Sequence, residues 1–268
     1  MQFVIQPELM QLFYKHHPGP GPGPTLIVLH GLYGNQSNWA PQARQLAQDF
    51  NVYALDARNH GQSPWRDSMS FAEMAADVAD TMAALGLKDA HLIGHSMGGK
   101  TAMWLALTRP ALVRSLSVVD IAPAAYPDAG TGIISALGSL DLAQLTSRAN
   151  ADAVLARTIP QKFVRDFLLT NLQRSEEGGW RWRFNLPVLT SCFRELTSWP
   201  AASGSYAGPT LFIKGELSDY ILPQHSAAMQ AQFPNGQLKT INGTGHWVHS
   251  EKPEAVLQLI RSFLQTAE

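Results

Sequence analysis

Two patterns of apolar residues alternate along the chain: short continuous runs, and longer stretches in which apolar side chains recur every three or four positions. Runs such as 90–95 and 115–121 are typical of strands buried on both faces. Residues 70–86 have helical spacing, with Ser70 as a predicted N-cap. Strands are predicted at 8–17, 25–30, 51–57, 90–95, 115–121, 209–215 and 237–241, and helices at 39–49, 70–86, 97–109, 223–233 and from 253 onwards. This alternation predicts an α/β fold with a mainly parallel sheet covered by helices on both faces.

Residues 122–207 interrupt the alternation. They contain predicted helices and a tryptophan-rich stretch, GGWRWRFNLPVL, but no run typical of a buried parallel strand. No linker-like stretch flanks the segment, and its apolar residues need a surface to pack on, so a helical cap over the end of the sheet is predicted. The predicted division is a core of residues 1–121 and 208–268 and a cap of residues 122–207.

Composition narrows the class of protein. Of 268 residues, 45% are hydrophobic and 15% are charged, which excludes a disordered chain. The net charge of −1 gives no electrostatic footprint for nucleic acid or an anionic membrane surface. A single cysteine, Cys192, rules out an internal disulfide. The N-terminus lacks the pattern of a signal peptide, and no apolar run approaches the length of a membrane span, so a cytoplasmic location is expected.

The segment GHSMGG (94–99) is the clearest chemical motif. The pattern Gly-x-Ser-x-Gly occurs by chance in about one chain in ten of this length, so its placement carries the argument. An apolar strand ends at Gly94, and a stretch of good helix formers begins directly after Ser96. A serine on such a sharp strand-to-helix turn is strained and exposed, and Gly98 permits close packing of the two elements. Ser96 is therefore the predicted nucleophile.

An oxyanion hole needs two backbone N–H donors. The helix start after Ser96 directs the Met97 N–H towards the serine oxygen. The loop HGLYGN (30–35) follows the first buried strand, and Gly31 in it permits a tight approach of the backbone, so the Leu32 N–H is the predicted second donor.

Serine becomes a good nucleophile only when a base accepts its proton. The segment NGTGHWVHSEKP (242–253) places His246 in a glycine-rich loop between the last strand and the last helix, so His246 is the predicted base. His249 follows three residues later, but no acidic or cysteine cluster completes a metal site with it. No metal is therefore expected. No dinucleotide fingerprint or phosphate loop is present, so no cofactor is expected either.

The acid behind the histidine is less clear from the residues. The chain order of nucleophile, acid and histidine is that of the α/β-hydrolase fold. Many such hydrolases have the acid three residues after a glycine that ends their seventh strand. In GELSDYI (215–221) that position is Ser218, and Asp219 lies one residue further on. Either this loop is longer by one residue, or the acid comes from elsewhere.

Several segments together resemble the α/β-hydrolase esterases of the YbfF type. They are HGLYG, DARNHGQSP, GHSMGGK, VVDIAP, WRFNLPVL and GHWVHSEKP, and they extend from about residue 25 to the C-terminus. The resemblance implies an α/β-hydrolase fold with the helical cap inserted after its sixth strand. It also implies that the acid is Asp120, at the end of the strand that follows the nucleophile helix, and that Ser218 supports it. An aspartate at the end of a buried apolar strand needs a partner such as His246 to offset its desolvation. Asp219 remains the alternative acid.

A serine nucleophile predicts acyl transfer to water, and the resemblance implies a small-molecule acyl ester or acyl-CoA thioester as substrate. Trp182, Phe184 and His95 are predicted to line the acyl pocket. Asp56 and Arg58 are interpreted as a structural ion pair. Two alternatives stay open: a C–C bond or amide hydrolase with the same triad, and a non-catalytic ligand-binding protein of the same fold.

Overall fold

A central seven-stranded sheet organises the molecule, whose computed structural model describes residues 10–127, 130–200 and 204–267. The strands are β1 (Tyr14–His17), β2 (Thr25–Leu29), β3 (Asn51–Leu55), β4 (Ala90–His95), β5 (Val113–Val119), β6 (Leu172–Arg174), β7 (Trp180–Trp182), β8 (Thr210–Gly215) and β9 (Gly236–Ile241). The sheet order is β1-β3-β2-β4-β5-β8-β9, with β1 antiparallel to β3 and the other neighbours parallel. The predicted α/β class and mainly parallel sheet are confirmed.

The helices follow the predicted alternation. They are α1 (Ala40–Leu46), α2 (Phe71–Ala84), α3 (Met97–Thr108), α4 (Thr131–Gly138), α5 (Arg148–Leu155), α6 (Lys162–Leu169), α7 (Leu186–Ser191), α8 (Phe193–Thr197), α9 (Ser226–Gln232), α10 (Val248–Glu251) and α11 (Pro253–Thr266). Ser70 caps α2 by accepting a hydrogen bond from the Glu73 N–H. Pro253 occupies the first turn of α11, where its missing N–H has no helical acceptor to lose.

Two apolar layers cover the two faces of the sheet. One contains side chains of α2, α3 and α9, and the other contains side chains of α1 and α11. The strands β2, β4, β5 and β8 lie between them with nearly every residue buried, which explains their continuous apolar runs.

The segment between β5 and β8 forms a third apolar cluster with the start of α2 and α3. Leu137, Leu168 and Leu189 pack there with Met97. The segment contains α4 to α8 and an antiparallel hairpin of β6 and β7, which the sequence did not predict. Among the described residues it follows the fifth strand of the chain, as the strands predicted from the apolar runs require, whereas the family resemblance implied a position after the sixth.

Two further expectations concern membranes and export. Within the described residues, no helix combines the length and the apolar character that a membrane span needs. Residues 1–9, on which much of the expectation about a signal peptide rests, lie outside the described residues.

Candidate active site

Ser96 lies on a sharp turn between β4 and α3. Its φ of 53° and ψ of −117° are an unusual conformation for a residue with a side chain, and the Ser96 N–H donates to the Val119 carbonyl at 3.0 Å. The turn also needs Gly98, because a Cβ atom there would lie 2.5 Å from the Leu29 carbonyl oxygen. The strained turn exposes the serine hydroxyl at the carboxyl edge of the sheet.

His246 connects Ser96 to an acid. Its Nε2 lies 3.0 Å from Ser96 Oγ, and its Nδ1 lies 2.8 Å from Asp120 Oδ2. The three residues come from loops after β4, β5 and β9, which parallel pairing brings to one edge of the sheet. The hydroxyl, imidazole and carboxylate therefore form one continuous chain of hydrogen bonds.

Asp120 is fully buried and hydrogen-bonded by three groups. The Gly215 N–H donates to its Oδ1 at 2.8 Å, and the hydroxyl of Ser218 donates to Oδ2, the oxygen that also faces His246. Asp120 itself has a positive φ of 53°. These donors stabilise the ionised carboxylate in a site from which water is excluded. Asp219 is exposed, so the structure brings Asp120 and not Asp219 to the histidine.

Two rings hold His246 in place. Tyr220 stacks on its imidazole, with ring centroids 3.9 Å apart. His95 Nε2–H donates to the His246 carbonyl at 2.9 Å. Burial, followed by the proximity of His249, holds the pKa of His95 well below its ordinary value, so His95 is neutral at physiological pH. Tyr220 was missed in the sequence, although it belongs to the same GELSDYI segment as Ser218.

His249 packs against the protein interior. Its ring stacks on Trp39 with centroids 4.5 Å apart, and its carbonyl accepts a hydrogen bond from Gln42. Burial lowers the pKa of His249 to about 3. In the part of the chain that the structure describes, no group of three or more histidine, cysteine or acidic residues could hold a metal ion.

A mainly apolar cavity surrounds the serine. It is lined by Gly31, Leu32, Tyr33, Asn38, Trp39, His95, Ser96, Met97, Lys100, Ile121, Tyr126, Ile133, Val164, Phe167, Leu168, Phe193, Leu196, Thr197, Tyr220, His246, Trp247 and His249. The loop carrying Gly31 approaches the serine closely, because a Cβ atom on Gly31 would lie 2.8 Å from His95 Nδ1. Leu32 and Met97 thus lie beside Ser96, where the oxyanion hole is expected, and His95 lines the cavity as predicted.

The prediction that Trp182 and Phe184 line the pocket is wrong. Both are almost completely buried, stack on each other with centroids 5.0 Å apart, and are absent from the cavity wall. Phe184 also contacts the ring of Tyr33 at 5.4 Å. These rings pack within the segment between β5 and β8 and against the core, while the helices of that segment that reach the cavity are α4, α6 and α8.

The interpretation of Asp56 and Arg58 as an ion pair is also wrong. Arg58 pairs with Asp77 at 2.6 Å and with Glu73 at 2.8 Å, both on α2. Asp56 instead accepts the backbone N–H groups of Gln36 and Gln62, at 2.6 and 2.8 Å. The two residues fix the same loop through different partners, and neither lines the cavity around Ser96.

Comparison with known proteins places this geometry in a family. The model of the alpha/beta hydrolase fold family matches residues 24–253. The sn-1-specific diacylglycerol lipase ABHD11 of Xenopus tropicalis is 40% identical over 267 residues, covering 97% of this chain and 83% of that protein. Esterase YbfF of Escherichia coli is 36% identical over 240 residues, covering 89% of this chain and 92% of that protein.

A solved structure of similar sequence has the same architecture. A marine microorganism esterase superposes with a TM-score of 0.91 at 39% identity, covering 95% of this chain and 99% of that one. The chain belongs to the alpha/beta hydrolase fold family, among the esterases of the YbfF type. It is a hydrolase that acts on esters.

Proposed function

We propose that the chain is a serine carboxylesterase that hydrolyses small-molecule acyl esters through an acyl-enzyme on Ser96. The observation that carries the proposal is the chain of hydrogen bonds from Ser96 through His246 to the buried Asp120, at the wall of an apolar cavity. A protein that only binds ligands has no physical need for this arrangement.

In acylation, Ser96 Oγ attacks the ester carbonyl carbon while His246 Nε2 takes the hydroxyl proton. The negative charge on the carbonyl oxygen is stabilised by the N–H groups of Leu32 and Met97. Met97 is the first residue of α3, where N–H groups have no acceptor within the helix. The imidazolium then gives its proton to the departing alcohol, and Asp120 stabilises the positive charge on His246 throughout.

Deacylation repeats the same steps with water. His246 removes a proton from the water molecule, whose oxygen attacks the acyl carbon. The second tetrahedral intermediate uses the same two N–H donors. Its collapse breaks the bond to Ser96, which regains its proton from His246, and the carboxylic acid leaves. No cofactor takes part in this scheme.

The cap supplies the outer wall of the acyl pocket in this proposal. Ile133, Phe167 and Phe193 lie on α4, α6 and α8 and line the cavity opposite the sheet, so apolar acyl chains suit it. The proposed cap is residues 122–207, and the proposed core is residues 1–121 and 208–268. The lipase and esterase names of the two sequence relatives are consistent with acyl esters as substrates.

Acyl-CoA thioesters could form the same acyl-enzyme, and we propose them as a second substrate class. A site for the CoA phosphates needs basic side chains near the mouth of the cavity. The sequence offers Arg181, Arg183 and Arg194 as candidates, and none of them lines the cavity wall. The cytoplasmic location expected from the sequence stays a prediction.

Labelling by a fluorophosphonate probe tests the mechanism. The probe reacts only with an activated serine, so the wild type should be labelled and Ser96→Ala should not. The control Ser250→Ala changes an exposed serine on α10 and should be labelled like the wild type. Labelling that persists in Ser96→Ala would overturn the proposal. A protein that is not labelled and has no esterase activity would favour the non-catalytic alternative, and a panel of esters, amides and β-diketones would separate the hydrolase classes.

A further inference from the structure

Lys100 lies one helical turn beyond the serine. The backbone N–H of Lys100 donates to the Ser96 carbonyl at 3.0 Å in the first turn of α3. Lys100 also lines the same cavity as Ser96. Only 2% of its surface is exposed. Lysine is rarely buried to this degree unless a carboxylate pairs with it.

The partners of the ammonium group are a carbonyl and two aromatic rings. Lys100 Nζ donates to the Ser198 carbonyl at 2.6 Å, and it lies 5.3 Å from the ring centroid of Phe71 and 4.8 Å from that of Tyr126. No ion pair of Lys100 exists within residues 10–127, 130–200 and 204–267. An ammonium group has three N–H donors, and the Ser198 carbonyl accepts one of them. Among the described residues, no anion accepts either of the other two.

Burying this charge has an energetic consequence. Desolvation lowers the pKa of Lys100 to about 7. Aromatic faces and one carbonyl therefore do not replace the hydration that the ammonium loses. An anion that entered the cavity would compensate for this loss.

The position of Lys100 in the cavity shows where such an anion would lie. Two further clefts adjoin the cavity, and both are lined by Phe163 and Trp247. Phe163 is 54% exposed, so these clefts lie on the outer side. Like Ser96, Lys100 lines neither of them, so both residues belong to the inner end of the cavity, away from these clefts.

We propose that Lys100 binds a carboxylate of the substrate, so that the enzyme acts on esters that carry an anionic group at the inner end of the cavity. Lys100 and Ser96 line the same cavity, which suits a carboxylate a few carbons from the ester carbonyl. A half-ester of a four-carbon dicarboxylic acid has this geometry. The inference rests on the proposed function, because it assigns the substrate class of the same site.

The other titratable groups around Lys100 have pKa values that burial shifts away from the neutral range, or they are already paired. Burial raises the pKa of Tyr126 and of Tyr220, and burial lowers that of His225. Asp120 is held by His246 and Ser218. On α2, both Glu73 and Asp77 are bound by Arg58.

Matched pairs of esters test the proposal. Mono-p-nitrophenyl succinate and p-nitrophenyl butyrate have nearly the same length and differ in a terminal carboxylate or methyl group. The ratio of kcat/KM for the anionic ester to that for the neutral ester should fall about 100-fold in Lys100→Met, because a buried charged partner is lost. In the control Lys239→Met, which changes an exposed lysine on β9, the ratio should stay the same.

A second pair, 4-carboxyphenyl butyrate and phenyl butyrate, carries the carboxylate on the alcohol. Discrimination by Lys100 in either pair supports the carboxylate site and shows which part of the ester carries the anion. If the ratio of kcat/KM for the anionic ester to that for the neutral ester is the same in wild type and Lys100→Met for both pairs, the proposal is overturned. Lys100 would then have only a structural role, through its hydrogen bond to the Ser198 carbonyl. If the wild type hydrolyses neither the neutral nor the anionic esters, the proposed function itself is contradicted.

The wild type alone provides an independent test if Lys100→Met does not fold. Both esters of a pair react through the same catalytic groups, so the pH dependence of those groups cancels in the ratio. The carboxylate stays ionised above pH 6, whereas Lys100 loses its charge as the pH rises through its pKa of about 7. The ratio should therefore fall tenfold or more between pH 6 and pH 9, and a ratio independent of pH for both pairs would contradict the proposal.

Discussion

Ser218 donates its hydroxyl to Oδ2 of Asp120, although the two residues are 98 positions apart in the chain. The position of Ser218, three residues after the glycine that ends β8, is where many α/β-hydrolases have the acid itself. Here that position supplies a donor to an acid on the neighbouring strand. The stretch GELSDYI thus contacts the carboxylate without providing it.

Ser218→Ala should lower kcat/KM about tenfold without abolishing activity. Asp120 would lose one charge-assisted hydrogen bond and retain the Gly215 N–H and His246. Steady-state kinetics with a short p-nitrophenyl ester measures this, and Ser218→Thr should recover part of the loss. Complete inactivity of a folded Ser218→Ala would mean that Ser218 acts directly on the reacting atoms.

Tyr220 should influence the rate through the orientation of the imidazole. Its ring lies 3.9 Å from that of His246, so Tyr220→Ala should reduce kcat about tenfold, since the imidazole gains freedom to rotate away from Ser96. Tyr220→Phe preserves the stacked ring and should retain most of the rate. Kinetics that are the same for all three proteins would show that the stacking does not position His246.

Phe184 should matter for stability and not for acyl-chain preference. It is 1% exposed and packs against Trp182 and Tyr33, so Phe184→Ala should reduce the free energy of unfolding by about 3 to 5 kcal/mol. Urea unfolding measures the first effect, and a series of p-nitrophenyl esters from acetate to decanoate measures the second. A shift in the preferred chain length without a loss of stability would restore the original pocket prediction.

Phe167→Ala is the matched variant for chain length. Phe167 lines the cavity from α6, so its truncation should shift the preference towards longer acyl chains. An unchanged chain-length profile would show that the acyl chain lies elsewhere in the cavity.

Buried neutral histidines should make the fold sensitive to acid. Burial, reinforced by His30, lowers the pKa of His60 to about 3, while the unfolded value is about 6.5. Between these values the unfolded chain binds more protons, so the free energy of unfolding decreases as the pH falls through this window. His60 contributes up to about 1.4 kcal/mol per pH unit.

His60→Gln should therefore reduce the pH dependence of the free energy of unfolding between pH 6.5 and about 3, by up to about 1.4 kcal/mol per pH unit. The substitution also removes hydrogen bonds to the Tyr33 N–H and the Arg58 carbonyl, so the variant should be less stable at pH 7. Urea unfolding at several pH values measures both effects. An unchanged slope would mean that His60 is already protonated in the folded state.

The fold could be predicted because its signals are local. Residues 90–95 form a continuous apolar run, which is typical of a strand buried on both faces. Residues 70–86 have apolar side chains at helical spacing, and Ser70 is a typical N-cap residue. The order of strands and helices then defines the carboxyl edge of the sheet, where Ser96, Asp120 and His246 meet.

The cavity wall could not be predicted in the same way. Which side of the segment between β5 and β8 faces the serine depends on contacts with distant residues, such as that of Phe184 with Tyr33. The burial of Lys100 likewise depends on the position of Ser198, 98 residues away. Apolar spacing predicted helices within residues 122–207 but did not assign their faces.

In the proposed mechanism, Asp120 is the acid behind His246. The most direct test is kcat/KM for a short p-nitrophenyl ester with the wild type, Asp120→Asn and Asp219→Asn. Asp120→Asn should lower kcat/KM about 10⁴-fold, because the asparagine cannot stabilise the imidazolium of His246, whereas Asp219→Asn, at an exposed position, should remain near the wild-type value. A collapse in Asp219→Asn with Asp120→Asn nearly normal would contradict the account.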